Sequence, residues 1–404
     1  MPKKIIKMVF VLLIITPILS CTVRKGWQEL RAGKEYAKRS DYRRAIKKYS
    51  EMIEKNPDYW KVYVYRSVAY EEINKIDLAI VDLSSGLKLI PKIDKGYGKL
   101  PRDEWALIYV KRGTLYHKTN FYNKAIDDYD KALELDPQCI GAYFYRAGTK
   151  EKINQLSAAI EDYSKTVDMM SKLLSGISNS EKSMVYLNRA IIYRKQNKFD
   201  FALADHHRAI KIDGSAKAFL SRGITLCKME NFEKAISDFD KSIKINPSDE
   251  TAYIYRASTR LITNCDLKKI LEDYYSVIGI RNIDDDTRQL VYNQIAWLLA
   301  TAADDNIRDR EKAVAYAQKA VGIKADCRSL DTLAVAFAGN GKYEDAINTH
   351  RQAIDICRSS NPELLSEVEK HLENYNLKKE FREDCPGVEI EKAQLRKWQS
   401  ELYH

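Results

Sequence analysis

The sequence lacks the residue patterns that carry most catalysis and metal binding. It contains only six histidines in 404 residues, and nothing in it brings His117, His350 or His371 together with a cysteine, a serine or a carboxylate. His206 and His207 are adjacent, so they point to different faces of a helix and are poorly placed to share a metal or relay a proton. We therefore expect no enzyme activity, no cofactor and no metal site.

Clustered charge and closely spaced CxxC cysteine pairs are also missing. The formal net charge is +10, but lysine and arginine are scattered and no nucleic-acid reader motif occurs. Seven cysteines are present, and no two of them form a CxxC pair, which argues against zinc-finger and thioredoxin-like chemistry. The sequence therefore predicts no nucleic-acid partner.

No apolar run is long enough to cross a membrane, but a shorter one opens the chain. Lys3, Lys4 and Lys7 precede the apolar residues 8–19. A basic start followed by an apolar stretch of this length is typical of a signal peptide and is too short for a membrane-spanning helix. Residues 1–20 are therefore predicted to be a signal peptide.

The end of that stretch, residues 18–21, resembles a bacterial lipobox. The resemblance implies lipidation of Cys21, with residues 21–25 forming the lipidated cysteine and a short linker. An ordinary cleaved signal and an uncleaved anchor are the alternatives. Thr22 stands where an aspartate retains lipoproteins of the enteric type at the inner membrane. The expected location is therefore the bacterial cell envelope, anchored to the outer membrane and facing the periplasm.

What the chain does contain is one pattern that recurs about every 34 residues, a period typical of helical repeat arrays. An alanine followed by isoleucine or leucine recurs, with an upstream aromatic residue and an arginine three positions after that aromatic. The alanines are Ala45, Ala79, Ala125, Ala159, Ala202, Ala235 and Ala346. Each repeat must stack on its neighbours to bury its apolar face, so the pattern predicts a solenoid with a continuous surface for a partner.

This pattern resembles the tetratricopeptide repeat family. Small residues such as Gly33 and Gly113 stand where the two helices of a repeat cross closely, and Tyr42 or Phe232 opens a second helix. Proline follows the second helix in several repeats, as at Pro57, because proline interrupts helices. The resemblance implies an all-α fold, a right-handed α-solenoid of about nine helix-turn-helix units with a C-terminal capping helix.

The solenoid is predicted over residues 26–360, with capping helices at 361–404. Insertions at 94–105 and 174–182 contain glycine and are predicted to be loops, either neutral or part of a binding site. Leu365 and Val368 lie on an apolar stripe at helical spacing in the first capping segment. A second short helix is predicted beyond residue 387. The alternatives for it are packing on the last repeats, folding back into the groove and docking on another protein.

A charge pair also recurs at a fixed spacing. In five repeats an arginine is followed sixteen residues later by an aspartate, and a sixth pair contains one additional residue. The pairs are Arg66 with Asp82, Arg112 with Asp128, Arg146 with Asp162, Arg189 with Asp205, Arg222 with Asp238, and Arg256 with Asp273. This repetition predicts structural ion pairs, either between the two helices of a repeat or between neighbouring repeats.

The family resemblance further implies a groove lined by the first helices. The residues that would face a bound segment are Tyr65, Tyr145, Tyr255, Val64, Phe144 and Ile254. Tyrosine combines a rigid apolar ring with a hydrogen-bonding tip, a combination favoured at interfaces. Packing between adjacent first helices is an equally good use of these rings. The clamp by which chaperone-binding members hold a C-terminal carboxylate is absent, because Leu30 and Lys34 occupy its positions in the first repeat.

Two cysteines mark the ends of the last repeat. Cys327 starts its first helix and Cys357 ends its second helix, and these points lie at the same end of an antiparallel helix pair. An oxidising envelope permits disulfides, so a bond between these two cysteines is predicted. Small buried thiols are the alternative for the cysteines beyond Cys21.

Two functional hypotheses follow. The first is a protein-protein interaction scaffold or adaptor in the bacterial cell envelope, which binds envelope proteins or peptides along the groove and reaches the membrane through the lipid on Cys21. The alternative is a surface lipoprotein that captures a glycan or an exported peptide. The sequence carries no signal for an oligomeric state.

Overall fold

Every regular element that the structure describes is an α-helix. The computed structural model describes residues 26–89, 102–172, 176–263 and 265–360, together with Leu365, Val368, Glu369 and His371. The helices are Trp27–Lys38 (α1), Tyr42–Lys55 (α2), Trp60–Glu72 (α3), Ile76–Lys88 (α4), Arg102–Lys118 (α5), Tyr122–Leu135 (α6), Ile140–Lys152 (α7), Leu156–Lys172 (α8), Asn179–Lys195 (α9), Phe199–Asp213 (α10), Ala216–Lys228 (α11), Phe232–Ile245 (α12), Glu250–Thr263 (α13), Leu267–Gly279 (α14), Asp285–Thr301 (α15), Arg310–Ile323 (α16), Cys327–Gly339 (α17) and Tyr343–Ser360 (α18). The predicted all-α class is confirmed.

Consecutive helices form pairs, each with a first helix packed against a second helix. The turn in eight of the nine described pairs contains one residue with positive φ, and asparagine, which tolerates the left-handed region, is the commonest choice. These residues are Ser40, Asn74, Asn120, Asn154, Asn197, Glu230, Cys265 and Gly341. In the α3–α4 turn the Lys75 amide then donates to the Tyr70 carbonyl over 2.8 Å, which satisfies a carbonyl at the helix end. The predicted helix-turn-helix repeat is confirmed.

Contacts divide the chain into two blocks. The N-terminal block ends at Asp213 and contains α1 to α10, and the C-terminal block begins at Gly214 and contains α11 to α18. Within the N-terminal block, first helices of successive repeats contact each other, as α5 does with α7 and α7 with α9. Each block therefore presents first helices side by side, which is the arrangement that creates an extended binding surface.

Glycine at the helix crossing allows a large ring to fill the centre of a repeat. A Cβ atom on Gly113 would lie 2.7 Å from the ring of Tyr129 on the second helix. The same relation holds for Gly223, where a Cβ would lie 2.6 Å from the Phe239 ring. Both rings are fully buried, so the small residue and the ring form one packing unit.

The two predicted insertions are shorter than expected at their C-terminal ends. Helix α5 already begins at Arg102, because Trp105 is buried against Trp60 with ring centroids 4.5 Å apart. Helix α9 begins at Asn179, since Ser178 and Glu181 form a reciprocal capping box. Residues 102–105 and 179–182 are therefore helical, and residues 90–101 and 173–175 lie outside the described residues.

The last repeat is closed by a disulfide between Cys327 and Cys357, with their Cα atoms 5.1 Å apart. Both cysteines are buried in a cluster that includes Leu330, and Val368 and Leu365 pack on that cluster. The described part of the predicted capping segment thus contacts the end of the array. The remainder of residues 361–404, the predicted signal peptide and Cys21 lie outside the described residues.

A buried polar cluster adds to this contact. Nδ1 of His371 lies 3.0 Å from Oδ1 of Asp331 on α17, and Nδ1 of His350 on α18 lies 3.3 Å from the same oxygen. Nε2 of His350 contacts the Val368 carbonyl. Burial alone would raise the pKa of the Asp331 carboxyl, but hydrogen bonds from the two histidines outweigh burial and lower it. The ionised carboxylate therefore ties the capping segment to the last repeat.

Candidate functional site

The six predicted arginine-aspartate pairs are all formed. In each, the guanidinium bonds both oxygens of an aspartate on the second helix of its own repeat through Nε and Nη2, as in Arg112 with Asp128 at 2.8 and 2.6 Å. Burial raises the pKa of the Asp128 carboxyl, and the bonds from Arg112 only partly offset that effect. Such bidentate pairs fix geometry as well as charge.

In five of the six pairs the remaining guanidinium nitrogen joins the pair to the preceding repeat. Nη1 of Arg112 donates to Ser84 over 3.0 Å, and Nη1 of Arg256 donates to Asp240 over 2.6 Å. The equivalent acceptors for Arg66, Arg146 and Arg189 are Ser50, Asp130 and Ser164. One arginine thus links both helices of its own repeat and the second helix of the previous one. We call this set of contacts the arginine ladder.

The predicted groove tyrosines pack between repeats. Tyr65 stacks on Tyr49 of the preceding repeat with ring centroids 6.0 Å apart, and Tyr145 stacks on Tyr129 at 6.4 Å. Tyr255 stacks on the preceding Phe239 ring at 5.9 Å. The partner ring in every case is the one that fills the crossing of its own repeat. The tyrosines therefore extend the core across the repeat boundary.

Burial corrects half of the groove prediction. Val64, Ile254 and Tyr255 are 2%, 8% and 1% exposed, so none of them can contact a partner on the surface. Their side chains pack between helices. Residue spacing in the sequence does not distinguish such a position from one in the groove. Tyr65, Tyr145 and Phe144 are half-buried and keep part of their rings at the surface.

Charged side chains line the same first helices around those rings. Nζ of Lys34 lies 4.4 Å from the centroid of the Tyr65 ring. Glu71 on α3 bonds Lys118 on α5, and Glu151 on α7 accepts from Lys195 on α9 over 2.9 Å. We call the surface formed by Lys34, Tyr65, Tyr145, Phe144 and these ion pairs the first-helix face. It offers aromatic edges between charged side chains and spans several repeats of the N-terminal block.

The C-terminal block contains a separate open cavity of about 490 Å³ between the starts of α11 and α13. Its lining is mixed, with Lys217, Asp249 and Thr251 contributing polar groups and Leu220 an apolar one. Its mixed lining and size suit a small ligand or one side chain of a peptide.

The described residues show neither a metal site nor a spanning helix. No three histidine, cysteine, aspartate or glutamate side chains within the described part of the chain are arranged to hold a metal ion. No helix in the same part is long and apolar enough to cross a membrane.

Comparison with known families agrees with this geometry. Family profiles described as tetratricopeptide repeat match residues 30–86, 106–139 and 216–249. The last two ranges coincide with the helix pairs α5–α6 and α11–α12 and the turns that follow them. The chain contains tetratricopeptide repeats.

Known proteins resemble the chain over parts of its length. It is 28% identical over 33% of its length to small glutamine-rich tetratricopeptide repeat-containing protein 2 of Mycosarcoma maydis, covering 34% of that protein. It is 26% identical over 28% of its length to Hsp70-Hsp90 organizing protein 3 of Arabidopsis thaliana, covering 18% of it. A tetratricopeptide repeat protein from Parabacteroides merdae superposes with a TM-score of 0.50 at 15% identity, covering 66% of this chain and 97% of that structure. The chain thus spans only 34% and 18% of the lengths of these two sequence relatives.

Tetratricopeptide repeats generally mediate protein-protein interactions and are usually not catalytic. The first repeat of this chain nevertheless lacks the carboxylate clamp of chaperone-binding members. Leu30, at one clamp position, is 1% exposed, and Lys34, at the other, lies over Tyr65. The first-helix face therefore differs in its chemistry from that clamp.

The arginine ladder leads to a graded prediction. Arg112→Ala leaves Asp128 buried without its cation and should lower the free energy of unfolding by about 3 kcal/mol. Arg146→Ala should cost less, about 1–2 kcal/mol, because Lys150 also donates to Asp162 over 2.8 Å. Denaturant unfolding of both variants gives the comparison, with Arg43→Ala on the exposed side of α2 as the control. Equal losses at Arg112, Arg146 and Arg43 would mean that the ladder does not stabilise the array.

Proposed function

We propose that this chain is a lipid-anchored interaction scaffold of the bacterial cell envelope, which binds partner proteins or peptides along the first-helix face. The observation that carries the proposal is the row of half-buried rings and ion-paired side chains on neighbouring first helices. The arginines of the ladder are committed to aspartates, so they are not available to a partner. What remains for binding is an extended surface rather than an enclosed site.

Two features support an envelope location. The disulfide between Cys327 and Cys357 joins two buried cysteines, and such bonds persist in oxidising compartments such as the periplasm. The basic and apolar start that leads to Cys21 fits export and lipidation. Both features are independent of the repeat pattern.

A second candidate function rests on the open cavity of the C-terminal block. Its mixed lining, with Lys217 and Asp249 beside apolar residues, suits capture of a glycan or an exported peptide by a surface lipoprotein. We rank this below the scaffold, because the cavity is confined to two repeats while the first-helix face extends over several.

Site-specific photocrosslinking in living cells tests the scaffold proposal. p-Benzoylphenylalanine at Tyr65 or Tyr145 keeps an aromatic ring in the stack and should yield covalent adducts with an envelope protein. The control position is Val81 on the second helix α4, which is 58% exposed. Adducts from Val81 alone would move binding to the second helices. A chain that yields no protein adduct but copurifies with a small ligand would favour the capture function instead.

The anchor is tested by fractionation. Cys21→Ser should abolish incorporation of labelled palmitate and move the chain from membranes to the soluble fraction, because the lipid is the covalent attachment. Membranes should be washed in about 1 M salt, which screens electrostatic adsorption. Wild-type chain in the soluble fraction after this wash would contradict a lipid anchor.

A further inference from the structure

The turns between the first and second helices form one edge of the N-terminal block. Neighbouring turns contact each other, as where Nε2 of Gln196 donates to Ser157 over 3.2 Å. His117, just before the α5–α6 turn, lies 2.8 Å from Thr149 of the next repeat. We call the segments at this end of α1 to α10 the turn edge.

The turn edge carries exposed basic side chains that no carboxylate neutralises. Five exposed cations lie in or beside the turns, and none is within 4 Å of a carboxylate among the described residues. They are Arg39, Arg43, Lys75, Lys124 and Lys198. Of the acids that form no described ion pair, Glu72, Asp77 and Asp200 are exposed on the same edge, so the five cations outnumber these three acids and the edge is basic.

Large apolar side chains protrude between these cations. Phe121 in the α5–α6 turn is 52% exposed, and Phe201 at the start of α10 is 61% exposed. Leu78, in the first turn of α4, is also exposed. Lys124 lies over the Phe121 ring with its Nζ 4.9 Å from the centroid. Exposed rings flanked by lysines are typical of surfaces that sit at the lipid headgroup level.

The opposite edge differs in composition. There the connectors between repeats that the structure describes, residues 56–59 and 136–139, contain no lysine or arginine and one aspartate each, Asp58 and Asp136. Exposed side chains such as Trp27 and Lys88 do lie at helix ends on that edge, but its described connectors contribute no positive charge.

We propose that the turn edge of the N-terminal block binds the anionic headgroup surface of a lipid bilayer, with Phe121 and Phe201 entering the interface. Cations near an anionic leaflet gain electrostatic attraction, and partly inserted aromatic rings add a contribution that salt does not screen. The inference depends neither on lipidation of Cys21 nor on the first-helix face. It would set the orientation in which an anchored chain presents that face.

Vesicle binding by the chain from residue 22 onward, which carries no lipid, tests the proposal. Vesicles that contain phosphatidylglycerol and phosphatidylcholine in a molar ratio of about 2:3 should bind the chain more tightly than vesicles of phosphatidylcholine alone. This binding should weaken at about 0.5 M salt. Each lysine near an anionic surface contributes about fivefold, so the triple variant Lys75→Gln, Lys124→Gln, Lys198→Gln should bind about a hundredfold more weakly.

A matched control separates the turn edge from total charge. Lys88→Gln, Lys165→Gln and Lys211→Gln remove the same charge from exposed positions on second helices away from the turns. This control should bind like the unmodified chain. Equal losses in both triple variants, or no preference for phosphatidylglycerol, would overturn the proposal.

The aromatic contribution is tested separately by Phe121→Ser with Phe201→Ser. This variant should lose binding that persists at about 0.5 M salt, while its helical content stays unchanged because both rings are exposed. Unchanged binding at high salt would show that the rings do not enter the interface. Because these assays contain lipid only, their outcome is independent of whether the first-helix face captures a protein.

Discussion

The arginine ladder is the contact on which the rest of the array depends. Two nitrogens of each guanidinium donate to the aspartate of its own repeat. In most of the ladder arginines the third nitrogen donates to a side chain of the preceding repeat. The planar guanidinium of arginine carries several donors in fixed positions and can form all of these hydrogen bonds, whereas the ammonium of a lysine cannot. The pairs are mostly buried, so each arginine that is removed leaves a desolvated carboxylate. The ladder arginines are therefore not available to a partner.

A second constraint couples neighbouring repeats through aromatic rings. Glycine at the crossing admits a large ring, and that ring then stacks on a tyrosine of the next repeat, as in Gly113, Tyr129 and Tyr145. The same combination occurs around Tyr49 and Phe239. Each repeat is therefore stabilised partly by packing on the repeat before it. This is why the stability of a solenoid depends on contacts between nearest neighbours. The first-helix face receives only those ring edges that stacking leaves uncovered.

Local periodicity predicted the helix pairs, the starts of most second helices and the six ladder pairs, because these features repeat at fixed spacing. Periodicity could not predict that Val64, Ile254 and Tyr255 are buried rather than in the groove. A first helix of a solenoid is covered from two sides, and spacing does not reveal which side is open. The inter-repeat ladder contacts were missed although a signal existed. Ser84, Asp130, Ser164 and Asp240 all stand two residues after a ladder aspartate. The start of α5 was misplaced, because Trp105 is buried against Trp60 across an insertion that hides the period.

We propose that partners bind on the first-helix face and that the ladder stabilises the array. Amide hydrogen exchange of the mature chain, with and without a partner captured through Tyr65 or Tyr145, separates these two roles. We expect slower exchange on binding in α3, α5 and α7, with little change in the second helices α4, α6 and α8. Slowing confined to the second helices would contradict this proposal, because the side of the array that carries the ladder aspartates would then be the binding surface.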